Sequence, residues 1–204
     1  MKVIAQYLEH VSAIEEIIKK PILNMYAHGS YLYGTHNEKS DWDCMVVVDT
    51  DTDFEMIQEG SYDIHVYSQE EFQRKLDSHA FDVIVSYFAP VFQKVEMTFE
   101  LDKMKLRSCV SQKAEHSYVK AKKKNIVEKE YYLAKKSLFH SFRILDFGIQ
   151  IATYGKVQNH ESCKEISEEI MSLEEGDKTW EKWNTQFKQR FNSCKSAFKL
   201  CAPK

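Results

Sequence analysis

Two aspartates one residue apart, Asp41 and Asp43, run directly into an apolar stretch, Cys44–Val48. A short apolar run with three consecutive valines argues for a strand, predicted over Asp41–Asp49. Side chains alternate along a strand, so residues 41 and 43 are expected on one face. Gly29-Ser30, a glycine-led turn, stands upstream, with ten residues between it and Asp41. A strand that fixes two hard oxygen ligands, beside a loop able to approach phosphates, suits a divalent metal and phosphoryl or nucleotidyl chemistry.

The chain has 204 residues, enough for one large or two small domains with a substantial core. Hydrophobic residues make up 43% of it, which argues for a folded globular protein. The formal net charge of -3 does not announce a nucleic-acid binder, so local clusters must carry any such case. Five widely spaced cysteines (Cys44, Cys109, Cys163, Cys194 and Cys201) form no CxxC pair. Zinc and a disulfide framework are therefore not expected, and reduced thiols in the cytoplasm fit best. Charges interrupt the N-terminal apolar pattern, and no long apolar run occurs, so neither a signal peptide nor a membrane span is expected.

The remaining elements follow from periodicity and punctuation. Ile4, Leu8, Val11, Ile14 and Ile18 recur at helical spacing, predicting one helix over Val3–Lys19 that Pro21 stops. Ile22–His28 is expected as a strand, with Ser30 opening a short helix or turn. Thr50–Asp53 is expected as a turn. Ser61–Tyr67 is expected as a strand carrying Asp63 and His65 on one face, followed by a helix over Gln69–Leu76. Phe81–Val95 fits either a buried helix or a strand, with Pro90 against one long element. From Leu101 the pattern becomes helical: Leu101–Lys124, Ile126–Tyr154, Glu161–Leu173 and Thr179–Leu200. The expectation is an α+β fold: a small mixed β-sheet core with helices over residues 1–100, then a helical domain over 101–204.

The pattern GSYLYGTHNEKSDWD resembles the nucleotidyltransferase superfamily that includes DNA polymerase β. Together with KKSLFHSFRIL further on, it resembles the subgroup described as the RNA-repair-pathway DNA polymerase β family, or predicted nucleotidyltransferases. The resemblance covers about Ile22 to Gly155. It implies a nucleotidyltransferase core followed by a helical substrate- and nucleotide-binding domain. The implied reaction transfers NMP, most simply AMP, from an NTP, most simply ATP, to an acceptor, and releases pyrophosphate. It also implies Mg2+ (or Mn2+) held by Asp41, Asp43 and, as third acidic position, Asp63. Two such ions ~3.5–4 Å apart would neutralise the attacking and leaving oxygens. Gly29 and Ser30 are the expected phosphate contacts, Gly29 because it lets the backbone approach closely. Asp49, Asp51 and Asp53 more simply form a solvated acidic turn. Trp42 is expected to point away from the carboxylates.

Lys136, His140 and Arg143 are spaced to share one helix face, with Leu138, Phe142, Leu145 and Ile149 opposite. A solvated basic face explains them, and the resemblance implies contact with the triphosphate. Lys113 and Lys120, seven residues apart, are expected as further nucleotide contacts; Tyr118, Tyr131 and Tyr132 nearby suit base stacking. The alternative there is a charged helix end. The last helix carries Trp180, Trp183, Phe187, Phe191, Cys194, Phe198 and Cys201 at helical steps. That stripe fits a core, with a homodimer or partner surface as the sharper reading. The acceptor stays open between an RNA or tRNA end and a protein or small molecule, as does a non-catalytic nucleotide-binding module on the same fold.

Overall fold

Pro21 and the glycines at 29, 34 and 60 divide the first hundred residues into short elements, whereas in the last hundred Gly155 and Gly176 separate longer helical stretches. The computed structural model describes residues 2–203 and divides at this change, into Met1–Glu100 and Leu101–Lys204.

In the first unit the single predicted N-terminal helix is two, α1 (Lys2–Glu9) and α2 (Val11–Ile18). They break at His10, whose ring packs on Trp42 with centroids 4.2 Å apart and whose Nδ1 lies 2.9 Å from the Tyr62 hydroxyl. Side-chain partners on the sheet hold this residue out of the apolar periodicity around it. α2 ends on Lys19, a left-handed cap.

β1 (Ile22–Ala27) leads into α3 (Gly29–Leu32), and β2 spans Trp42–Val48. Next come β3 (Phe54–Glu59), β4 (Tyr62–Ser68), α4 (Gln69–Asp77), α5 (Phe81–Tyr87) and β5 (Pro90–Gln93). The sheet order is β3-β4-β2-β1-β5; β2 and β4 are parallel and the other neighbours antiparallel. The fold is thus α+β with a mixed sheet. β3 escapes sequence reading because it is an edge strand whose residues are exposed except for half-buried Ile57, so no buried periodicity marks it. The ambiguous Phe81–Val95 stretch holds a buried helix and then a strand, and Pro90 opens β5 at the sheet edge, where a missing N–H is tolerated. Ser68 caps α4 by accepting from Glu71 N–H at 3.1 Å.

Tyr7 and His10 pack against Trp42 on one sheet face. Phe72 of α4 stacks on Tyr26, at 4.8 Å, and meets Tyr67 edge-on at the other. Strand alternation puts Asp43 on the Tyr26 side, and Trp42 points away from it, as expected.

The second unit is helical: α6 (Lys103–Lys123), a π-helical turn (Lys124–Glu128), α7 (Tyr131–Tyr154), α8 (Lys164–Met171) and α9 (Thr179–Cys201). Asp102 caps α6 through Met104 and Lys105 N–H groups. α7 starts five residues later than predicted. The wide turn before it is fixed by Lys124, paired with Glu128 and Glu130, and by Asn125, whose amide donates to Thr179 Oγ1 at 3.0 Å. Trp180, Trp183, Phe187, Phe191 and Phe198 are buried, with Phe187 and Phe191 meeting Phe142 of α7. The aromatic stripe of α9 is core.

The five cysteines are free thiols. Burial raises the Cys44 thiol far above its ordinary range, so it behaves as a small apolar strand residue. Among the described residues, no helix is long and apolar enough to cross a membrane.

Candidate active site

Asp43 is the second residue of β2, and its neighbour across the parallel ladder is Asp63 of β4. Register partners on adjacent strands share a sheet face, so the two carboxylates stand side by side about 4.8 Å apart at the backbone. The ladder continues without a bulge from Trp42↔Tyr62 to Val48↔Ser68.

Gly29 sits against Asp43. Its φ is +70°, in the left-handed region, and a methyl carbon there would come within 2.5 Å of Asp43 Cβ and closer still to Cγ and Oδ2. The Gly29-Ser30 turn therefore touches the carboxylate through a position that only glycine fills. Tyr7, fully buried in α1, adds a second restraint: its hydroxyl lies 2.7 Å from the His28 carbonyl and 2.9 Å from the Asp43 carbonyl. Its single proton is shared between them, while His28 N–H also donates to Asp43 O at 3.1 Å. Burial first, and the Asp43 charge second, raise the Tyr7 hydroxyl well beyond the usual phenol range, so it remains a donor at any physiological pH.

Asp63 takes a hydrogen bond on Oδ2 from the Gln58 side chain at 3.3 Å. Its Oδ1 is buried and accepts no hydrogen bond among the described residues, with His65 Nε2 3.6 Å away. His65 in turn lies 5.9 Å, ring to ring, from His28, whose Nδ1 is 2.8 Å from Ser86 Oγ.

Asp41 differs from expectation. β2 starts at Trp42, whose N–H donates to Ser61 O at 2.7 Å, and Asp41 is an exposed residue just outside the strand. The preceding turn explains this: Ser40 N–H bonds Asn37 O, and Ser40 Oγ accepts from Asn37 N–H. Ser40 thus closes the turn. The described residues contain no cluster of three or more His, Cys, Asp or Glu placed to hold a metal. The loop is braced instead by rings: Trp42 stacks on Tyr31 at 3.8 Å, and Tyr31 on exposed His36 at 4.2 Å.

The remaining predicted contacts lie in the second unit. Lys113 is half-buried and Lys120 exposed on α6; on α7, Lys136 is exposed, His140 half-buried and Arg143 only 5% exposed. The uniform basic stripe expected from spacing is therefore absent, because Arg143 turns into the protein with its guanidinium 5.6 Å over the Phe147 ring. Tyr118 is also buried, donating to Asn184, so it is no stacking platform; Tyr132 is exposed, with Lys136 above its ring. Lys123 and Lys124 are held by Glu128.

Sequence reasoning missed Tyr7, His28 and Gln58. No spacing rule links Tyr7 to Asp43, because contact between a helix and a strand 36 residues apart in the chain exists only after folding. Alternation alone does place His65 beside Asp63.

Residues 9–146 match the family model for the nucleotidyltransferase domain. The chain is also similar to a solved structure, a nucleotidyltransferase-like protein from Exiguobacterium sibiricum 255-15. That match has 13% identity and a TM-score of 0.32, and covers 95% of this chain and 73% of that one. No curated protein matches. With more than half of its residues matched by that model, this chain belongs to the nucleotidyltransferase domain family of the DNA polymerase β-like superfamily.

Proposed function

We propose that the protein is a metal-dependent nucleotidyltransferase that moves NMP, most simply AMP, from an NTP to an acceptor hydroxyl, releasing pyrophosphate. The observation that carries this reading is Asp43, packed on the Gly29-Ser30 turn and in register with Asp63. The turn proposed to bind phosphate thus packs directly on the carboxylate pair.

The residues present fit magnesium. The donors are hard carboxylates, and Asp63 Oδ1 is a buried acceptor with no hydrogen bond among the described residues. Magnesium keeps several waters and is commonly held by one or two carboxylates plus substrate phosphates, so Asp43 and Asp63 suffice as the inner pair. Asp41, exposed just outside β2, would complete the carboxylate set once metal and triphosphate are bound. When bound, the metal would supply charge neutralisation at the reacting phosphate. Ser30 Oγ and the N–H groups of its turn would hold the outer phosphates, and Tyr7 keeps that turn from drifting off β2. Lys113, Lys120, Lys136, His140 and Arg143 are the proposed further nucleotide contacts.

The test is incubation with each α-labelled NTP, Mg2+ or Mn2+, cellular RNA and lysate protein, with nuclease and protease treatment of the product. Label is expected in an acceptor only when metal is present, with EDTA abolishing and Mg2+ restoring transfer. Undiminished pyrophosphate release by Asp41→Ala and Asp43→Ala proteins would remove this reading. Nuclease-sensitive product identifies an RNA acceptor, protease-sensitive product a protein.

Tyr7→Phe removes one shared donor and leaves the ring in place. It should cost about 1–3 kcal/mol of stability, because two buried carbonyls lose a partner. It should also lower kcat about tenfold with the KM for NTP little changed, since it misplaces the turn without removing a substrate contact. Thermal melts and steady-state kinetics check both, and wild-type kcat would show that Tyr7 has no positioning role.

A further inference from the structure

The free edge of the sheet bears on what else this protein holds. Among the described residues β3 has a neighbour on one side only, and its Phe54 and Met56 are 45% and 56% exposed. The hydrogen-bond phase of the β3–β4 ladder follows from one bond. Ser68 N–H donates to Asp53 O at 3.1 Å, which makes residues 53 and 68 a hydrogen-bonded pair. Hydrogen-bonded and non-hydrogen-bonded pairs alternate in an antiparallel ladder. Glu55, Ile57 and Glu59 therefore bond inward to β4, while Phe54, Met56 and Gln58 turn their N–H and C=O groups to the open edge. Their side chains also share the sheet face of Asp63, His65 and Tyr67, which are their register partners.

An edge of this kind is a template for another strand unless charge or proline blocks it. β3 contains no proline and no lysine. The charge around it selects the partner. Asp49, Asp51, Asp53, Glu55 and Glu59 are all exposed along β3 and the turn before it, where Lys20, bonded to Thr50, is the neighbouring cation. A second copy of β3 would set Glu55 and Glu59 against their own kind, and a nucleic acid would bring phosphates to a carboxylate-rich edge. An extended peptide with cationic side chains meets neither obstacle.

We propose that β3 docks an extended, Lys- or Arg-bearing peptide segment by strand addition. The partner's main chain pairs with Phe54, Met56 and Gln58. Its apolar side chains cover Phe54 and Met56, and its cations meet Glu55, Glu59 and the acidic turn at Asp51 and Asp53. Residues of the partner opposite Gln58 then lie on the same sheet face as Asp63. The inference does not require nucleotidyl transfer, and its test reads binding alone.

The probe is a fluorescein-labelled peptide of alternating Lys and Val, titrated with the full chain by anisotropy at about 150 mM salt, where exposed charges are screened beyond roughly 8 Å. Three comparison probes share its length: one with Glu in place of Lys, one N-methylated at alternate amides to block pairing, and a single-stranded RNA. The Lys peptide is expected to bind, with the N-methylated and Glu peptides weaker by about tenfold or more. Met56→Pro removes an outward N–H at a position where an edge strand tolerates proline, and should weaken the Lys peptide by a similar factor with an unchanged melt. If Met56→Pro lowers the melt, the N-methylated probe on wild-type protein decides alone. Equal binding of the N-methylated peptide would reduce the effect to surface charge and overturn strand addition. Equal binding of the Glu peptide, tighter binding of RNA, or no binding of the Lys peptide would overturn the choice of partner.

Discussion

Asp43→Asn is expected to lower nucleotidyl transfer by about three orders of magnitude or more, the usual scale for losing a group at the reacting centre. The fold should survive. Asparagine is nearly isosteric with aspartate, and Asp43 faces Asp63 across the ladder, so neutralising one carboxylate relieves like-charge repulsion. The melting temperature should match or exceed that of the wild type while transfer disappears. Measuring both separates a functional carboxylate from a structural one: a large stability loss with a parallel activity loss would assign Asp43 to the scaffold, and retained transfer would remove it from the chemistry.

Gly29→Ala should damage stability and function together. The new methyl would overlap Asp43, and alanine is strained at a φ of +70°. Left-handed strain of about 1–2 kcal/mol and overpacking of about 1–3 kcal/mol predict a loss of roughly 2–5 kcal/mol. At this chain length that is about 4–20 °C in Tm. Transfer should fall with it, because the methyl must displace either the carboxylate or the turn. The origin can be isolated in an Asp43→Gly background, which removes the three nearest atoms the methyl would meet. There Gly29→Ala should cost only the backbone strain. An equal cost in both backgrounds would mean that the close approach of turn and carboxylate is unimportant.

The sequence exposes this site unevenly, for physical reasons. Asp43 and Asp63 are legible because strand alternation is a local rule, and the apolar run after Asp43 marks a buried strand. Asp41 looks equivalent at that level, yet it falls off the strand end because the Asn37–Ser40 turn determines where pairing starts. Arg143 shares a helical face with Lys136 by spacing, but spacing is blind to packing around the helix, which buries one and exposes the other. β3 leaves no trace in periodicity, since it buries almost nothing and is held by main-chain pairing. The helical second half was legible as a class, and its aromatic stripe as core, because long amphipathic periods survive small errors in boundary. The split at His10 was not, because the partners that hold that residue, Trp42 and Tyr62, are remote in sequence.

The unbroken β2–β4 register also governs how this chain tolerates changes in length. β1 is irregular on both sides, slipping between Ile22 and Asn24 against β2 and between Met25 and Tyr26 against β5. The parallel pair has no slip at all. Gaining or losing a residue in the Asp49–Asp53 turn changes only surface loop. The same change between Trp42 and Val48, or between Tyr62 and Ser68, would rotate every later side chain to the opposite face. Over evolutionary time the turn can drift in length, whereas those two seven-residue words must be copied letter for letter in number, even where their apolar letters are exchanged.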